Sequence, residues 1–410
     1  MSTRRRPSGF KAIDPDGIRL AEVQEEALLP LRVSVGDLLA SDHPYGQLEI
    51  LPARSLSFPD WHPTAVSHPG GRVLPEWWTQ DLVLHSRCVG VFRVPNAYYM
   101  PEFGAVISSS GHIYTAPVAQ ARYRTPDLSL LPGIVCDDEG LSMAPPARLP
   151  VLERALVSMP WGALNNYGHF VLDCLSGLAE MTDIPALRSY TPVFPRLHPW
   201  QERHLALLGI DDYTCVTGEI CYVKDLIFCN TMQSSLHTPN TTYRTLRTRQ
   251  VRRVRQPSMA RSKLYLARMQ SPRRNFLTDG DLREQLAQMG FDVVYPEQHS
   301  IDEQIQMFRS ADVIVGCTGA AFANVLYCET ETTVIEIVPL RMVSPRRVGG
   351  LWVANICALM GCRWRPYFCE SCWATDSVEA NREDRAELNT TFELDMKDFM
   401  AYLKTIGADG

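Results

Sequence analysis

Asp312-Val313-Ile314-Val315-Gly316-Cys317-Thr318-Gly319-Ala320-Ala321-Phe322-Ala323-Asn324 is an apolar run that breaks at small residues and resumes with helical spacing. It reads as a strand, a tight turn and the start of a helix. The same alternation continues outward on both sides. Upstream, residues 263–266 read as a strand, 281–289 as a helix closed by Gly290, 291–295 as a strand and 300–309 as a helix. The last of these opens with Ser300-Ile301-Asp302-Glu303, a capping box in which the Ser and Glu side chains satisfy orphan amides reciprocally. Downstream, residues 321–327 continue the helix and 333–338 form a strand. Strands alternating with short helices predict an α/β fold with a parallel sheet, whose ligands bind at the carboxyl ends of the strands.

Further out the pattern is looser. Residues 156–159, 192–194 and 226–229 read as strands, and 169–181 and 200–208 as helices. Gly104-Ala105-Val106-Ile107 and His112-Ile113-Tyr114, joined by Ser109-Ser110-Gly111, read as a hairpin within extra β-structure of the N-terminal half. Residues 1–80 are Pro-rich and weakly periodic, and are expected to pack as an irregular segment on the first domain. A chain of 410 residues exceeds what one core usually supports. The expected domains are therefore 81–250 and 251–410, with the last helix able to return to the first.

With a net charge of -6, general nucleic-acid binding is not expected. Charge is nevertheless local: 11 of the 40 basic residues fall between Arg244 and Arg274, a stretch without Asp or Glu. A solvated helix face accounts for the first six, and an anion-facing patch, for phosphates or the inner membrane surface, is the functional alternative. No apolar region follows Met1-Ser2-Thr3-Arg4-Arg5-Arg6, no apolar stretch approaches a membrane span, and the cysteines are scattered. The expectation is a cytoplasmic protein with reduced thiols. Cys369-Glu370-Ser371-Cys372 is a CxxC with Cys357 and Cys362 upstream, but without a second tight pair no metal is assigned to it.

Four sets of residues can carry chemistry. The turn Gly316–Ala321 lets a ligand approach the backbone and presents helix-start amides of Thr318, Gly319, Ala320 and Ala321 to a phosphate, although glycines there also serve packing alone. Arg268, at the end of the first strand of that domain, and Arg273 and Arg274 behind it fall on the same rim; guanidinium groups suit a diphosphate. Glu336, a carboxylate in the apolar strand Val334-Ile335-Glu336-Ile337-Val338, either accepts from ribose hydroxyls or pairs with a structural arginine. In Asn165-Asn166-Tyr167-Gly168-His169-Phe170-Val171-Leu172-Asp173, Asn166 is a candidate helix cap. His169, Asp173, Ser176 and Glu180 project as one polar stripe opposite an apolar face, so the stripe is expected to line a cleft. His169 and Asp173, four apart, form either an oriented general base or a buried polar pair that holds the helix. A DxD-like metal site fits poorly: Asp14-Pro15-Asp16 lies in the irregular N-terminus and Asp279-Gly280-Asp281 at a helix start.

Three ordered blocks resemble glycosyltransferase family sixty-one. Asn166-Tyr167-Gly168-His169-Phe170 is similar to its NYxHW block, and Tyr265-Leu266-Ala267-Arg268 followed by Arg273-Arg274-Asn275 to its YLSR…RR block. Glu303-Gln304 through Gly316–Asn324 to Val334-Ile335-Glu336 is similar to its C-terminal signature. The resemblance implies a GT-B fold of two facing Rossmann-like domains and a nucleotide-sugar donor, taken as UDP-linked, in the C-terminal one. It implies inversion at the anomeric carbon and a glycan or lipid-linked glycan acceptor, as in capsular or exopolysaccharide synthesis; with the DxD-like pairs poorly placed, no metal or other cofactor is expected. His169 then becomes the base, Asp173 its orienting partner and Glu180 the next candidate on the stripe; Arg268, Arg273, Arg274 and the turn hold the diphosphate, Glu336 the ribose, with Asn166 and Asn324 as additional site residues. Thr318 stands where the family commonly has His before Gly-Ala, and Phe170 where Trp is usual. A catalytically silent glycan-binding protein and another nucleotide-using α/β enzyme are the alternatives.

Overall fold

A computed structural model describes residues 89–114, 116–119, 128–138, 140–232, 241–255, 261–269, 275–339, 352–369, 371–372 and 391–407, together with short strands in the first 85 residues. The chain divides into two units: Met1–Arg54, Ser86–Ser235 and Asn240–Arg253 form one, and Ser55–His85, Leu236–Pro239 and Val254–Gly410 the other. Each is a mixed α/β unit with parallel strands.

Unit 1 is organised on a mixed sheet. Its central strands are β1 (Val89–Met100), β2 (Ala105–Ser108), β3 (His112–Tyr114), β4 (Arg148–Val157), β5 (Thr191–Phe194), β6 (Asp212–Cys215) and β7 (Cys221–Cys229). The expected hairpin is present as the antiparallel pair β2–β3. Four neighbours run parallel in the order β6-β5-β4-β7, and β1 closes antiparallel on β7. The chain leaves β4 toward β5 and later returns to β4's other side as β7, so the order reverses between β4 and β7. That point is where an open α/β sheet binds ligands. The first 80 residues are not wholly irregular: Gly9–Ala12 pairs with β4, Ile18–Val23 with β3, and Gly46–Leu51 with β1. Strands this short, separated by prolines, show no sequence period.

Three helices belong to the parallel part. α1 runs as α-helix over Tyr167–His169, π-helix over Phe170–Leu175 and α-helix over Ser176–Asp183. α2 is Pro199–Leu208 and α3 is Tyr243–Val251. Arg249 on α3 donates to Ala179 O (2.7 Å), to Thr182 Oγ1 (2.7 Å) and to Leu208 O (2.5 Å), and pairs with Asp183 (3.0 Å). One guanidinium thus caps the carboxyl ends of α1 and α2, where carbonyls lack intrahelical donors. Arg253 adds a contact to Leu207 O at 3.4 Å. Arg249 thus clamps helix ends rather than forming part of a solvated face, whereas Arg253 is exposed, as a solvated face requires.

Unit 2 carries a five-stranded parallel sheet. Its strands are β8 (Ser262–Leu266), β9 (Phe291–Val294), β10 (Ala311–Cys317), β11 (Thr333–Pro339) and β12 (Arg363–Cys369), in the order β9-β8-β10-β11-β12. Here the reversal falls between β8 and β10. Crossovers include α4 (Asp279–Gln288), α5 (Ile301–Ser310), a 3-10 helix over Ala320–Tyr327 and α6 (Trp352–Met360). The capping box at Ser300 is formed, Ser300 N donating to Glu303 Oε2 (2.8 Å) and Glu303 N to Ser300 Oγ (3.3 Å). The last helix, α7 (Met396–Thr405), packs Phe399 and Tyr402 on Tyr367 of β12, so it belongs to unit 2 rather than returning to unit 1. Among the described residues no helix is long and apolar enough to cross a membrane.

The clamp makes a stability prediction. Arg249→Ala strands several partly buried acceptors and should cost about 2 kcal/mol or more. Exposed Arg252→Ala should stay within about 0.5 kcal/mol. Equal urea midpoints for the two variants would remove Arg249 from this role.

Candidate functional site

The block that opens α1 follows β4 in the chain after residues 158–166, and the middle of α1 lies at the carboxyl ends of β4 and β7, where Ser158 Oγ donates to Cys174 O. Asn166 caps the helix as expected, its Oδ1 accepting from His169 N at 3.2 Å. His169 Nδ1 and Asp173 Oδ2 are 2.7 Å apart, with 19% of the imidazole side chain exposed and none of the carboxylate. A carboxylate accepts, so Nδ1 is the donor of this hydrogen bond.

The stripe does not line a cleft. Asp173 and Ser176 are fully buried and Glu180 is nearly so. Burial pushes the Glu180 carboxyl above its ordinary value, against a hydrogen bond from Thr245. Of the stripe, only His169 reaches the surface, because the far end of the stripe is covered by α3, where Thr245 bonds Glu180 and Arg249 bonds Ala179 O. Gly177 is part of the reason: a Cβ there would meet Thr231 Oγ1 at 2.1 Å and Cys229 Cβ at 3.0 Å. Ser158 Oγ donates to Cys174 O (2.6 Å) and Ser176 Oγ to Leu172 O (2.5 Å), hydroxyls that serve carbonyls of the π segment. Sequence periodicity could not have revealed this segment, since its six residues look helical; π turns recur at functional sites.

Beside the pair is a ring cluster absent from the sequence reading. Trp200 packs edge-on against Phe170 (5.1 Å between centroids) and lies 5.5 Å from Tyr167, with His204 below. Phe170 therefore sits against a tryptophan supplied by α2. His204 is fully buried; its Nδ1 faces Gln250 Nε2 at 3.2 Å, and desolvation pushes its pKa down to about 3.

In unit 2, Leu266 pairs with Gly316 across β8 and β10, which places Arg268 and the turn at neighbouring strand ends. Arg268 is partly exposed, while its Nη1 is buried without an acceptor among the described residues. A buried guanidinium nitrogen left unpaired is uncommon and marks a place where an anion would be welcome. Gly316 is explained by packing: a Cβ would stand 3.0 Å from Leu266 Cβ and 3.3 Å from the Phe322 ring. The Thr318 amide is unavailable to a phosphate, since it donates to Ile337 O at 3.0 Å and the residue is buried. Ala320 and Ala321, in the first turn of the 3-10 helix, are partly exposed and have helix-start amides.

Other expected site residues have structural partners. Asn324 is fully buried and donates to Gln304 Oε1 at 2.9 Å, tying the 3-10 helix to α5. Glu336 is fully buried and its Oε2 accepts from Trp364 Nε1 at 2.9 Å, an indole where the structural alternative to a ribose was an arginine. Asp279 accepts from the Tyr265 hydroxyl at 2.5 Å and pairs with Arg283 at 3.0 Å. Cys357, Cys362 and Cys369 are buried, and Cys362 Sγ lies 3.6 Å from Glu329 O. Among the described residues no group of three or more His, Cys, Asp or Glu is placed to hold a metal ion. Arg273, Arg274, Asp14, Asp16 and the Cys372 side chain lie outside the described residues.

Residues 167–335 match the family model described as Glycosyltransferase 61, a span from the start of α1 to the middle of β11 that bears out the resemblance of the motif blocks. No curated protein matches the chain.

Buried His204 predicts a pH dependence. Its folded pKa lies below the unfolded value, so the unfolded chain takes up a proton that the folded one refuses as pH falls below about 6.5. Stability should drop by about 2 kcal/mol from this residue between pH 7 and pH 5. His204→Gln should flatten that limb of a urea-midpoint profile; an identical profile would show that His204 is not held neutral.

Proposed function

Residues 167–335 belong to glycosyltransferase family 61, and from that premise we propose that the chain is an inverting, metal-independent glycosyltransferase of GT-B type. It would move a sugar from a UDP-linked donor to a hydroxyl of a glycan or lipid-linked glycan, in capsular or exopolysaccharide synthesis. The single observation that carries the reading is the 2.7 Å pair of a surface-reaching imidazole and a fully buried carboxylate in the first turns of α1. A merely structural pair has no need to leave its imidazole at the surface.

The chemistry is one displacement. On the acceptor side His169 Nε2 takes the hydroxyl proton as the oxygen bonds to the anomeric carbon, and Asp173 stabilises the imidazolium that forms. On the donor side the bond from that carbon to the diphosphate oxygen breaks, and the electron pair leaves with the diphosphate. Arg268 and the amides of Gly319, Ala320 and Ala321 stabilise that charge, joined by Arg273 and Arg274. Metal independence is supported by Asp279, whose carboxylate is already held by Tyr265 and Arg283. A ribose contact by Glu336 requires its enclosure to open on nucleotide binding; closed, it fixes β11 through Trp364. A peripheral membrane role for the basic run rests on its arginines other than Arg249.

Hydrolysis of UDP-sugars by the purified protein tests the activity, and its complete absence would favour the silent glycan-binding reading. In an active protein His169→Ala should lower kcat by roughly a hundredfold or more with an unchanged melting temperature. Asp173→Asn should lower it less. A loss of activity that tracks only the folded fraction would make the pair structural. Independently, Arg268→Ala should weaken UDP binding by about 2 kcal/mol in calorimetric titration, and unchanged affinity would take Arg268 out of the donor site.

A further inference from the structure

The ring cluster next to His169 has a buried side and an open one. Phe170 and His204 are fully buried and close the inner side. Trp200 and Tyr167 are partly exposed, and His198, Asn165 and Asn166 are exposed. The His198 and Trp200 rings are nearly parallel, 7° apart with centroids 6.4 Å apart, and His198 Nε2 lies 3.4 Å from Asn165 Oδ1. Asn165 adjoins Asn166, whose side chain caps the turn that carries His169. A cluster that served only to seat α2 on α1 would gain most by burying its indole completely. Here the indole is partly exposed, with the His198 ring parallel to it, and its rim is made of amides and an imidazole.

Taking the glycosyltransferase reading as given, we propose that Trp200 is the stacking platform for a pyranose ring of the acceptor, with Asn165 and His198 bonding its hydroxyls. A pyranose presents one face of C–H groups and an edge of hydroxyls. An aromatic face attracts the first through weak C–H and dispersion contacts, and neutral polar side chains suit the second. The surface therefore selects a neutral sugar ring, and its place beside His169 brings an acceptor hydroxyl to the base.

Saturation-transfer NMR with the methyl β-glycosides of glucose, galactose, mannose and xylose tests this without donor or turnover. The wild-type protein should transfer saturation to the C–H protons of one ring face of at least one glycoside. Trp200→Ala should reduce the signal at least fivefold. Trp200→Leu, which keeps apolar bulk against Phe170, should do the same where the alanine variant folds poorly. Asn165→Ala should weaken the signal with an unchanged melting temperature. Absence of transfer to all four glycosides in the wild type, or undiminished transfer in folded Trp200→Leu, overturns the platform. A protein that hydrolyses no UDP-sugar yet loses glycoside binding with Trp200 keeps the platform and loses the enzyme; an active transferase whose glycoside binding ignores Trp200 does the reverse.

Discussion

A parallel strand cannot turn straight back beside its neighbour; it must cross over, and the crossover returns the chain to the same starting edge. Every strand of a parallel run therefore delivers its carboxyl end to one rim, where the next helix begins with unpaired amides. In unit 2 the order β9-β8-β10-β11-β12 sets Arg268 and the Gly316–Ala321 turn on adjoining strand ends. In unit 1 the order β6-β5-β4-β7 brings the carboxyl ends of β4 and β7 against the middle of α1, at Cys174 and Gly177. The donor-side candidate follows directly from that one restriction on connection geometry, and it does not need the sheet to be distorted.

The regular half of this plan was legible in the sequence because its strands are short, mostly apolar runs that alternate with helical spacing. The strand run Val313–Val315 and the capping box at Ser300 were readable at single-residue level. Three things were not. The pairing of Gly9–Ala12 with β4 joins residues far apart in a segment with no period of its own. The clamp by Arg249 depends on which carbonyl ends meet α3, which no local pattern encodes. The ring cluster draws Tyr167 and Trp200 from different helices, each of them an ordinary aromatic in its own sequence context.

The site residues divide by what their polar atoms already do. Thr318, Asn324, Glu336 and Asp279 were legible as polar groups in telling positions, and each is held by a neighbour: Ile337, Gln304, Trp364 and Tyr265. Polar groups at a strand end must be satisfied whether or not a ligand comes, so residue type and position alone do not separate scaffold from chemistry. Arg268, whose Nη1 is buried without an acceptor among the described residues, and His169, whose imidazole is held by Asp173 yet reaches the surface, stand apart from that group.

The π segment of α1 also bears on how this helix tolerates length changes. A π turn is in effect one residue more than an α-helix needs to span the same rise, so Phe170–Leu175 behaves as an insertion lodged inside α1. Removing one residue from it would restore a plain α-helix and keep the faces before and after it in register, whereas removing one from Ser176–Asp183 would rotate everything beyond the cut by about 100°. Gly177 is wedged against Thr231 and cannot take up such a rotation. Chains descended from this one can therefore lose a residue within the π segment far more readily than beyond it.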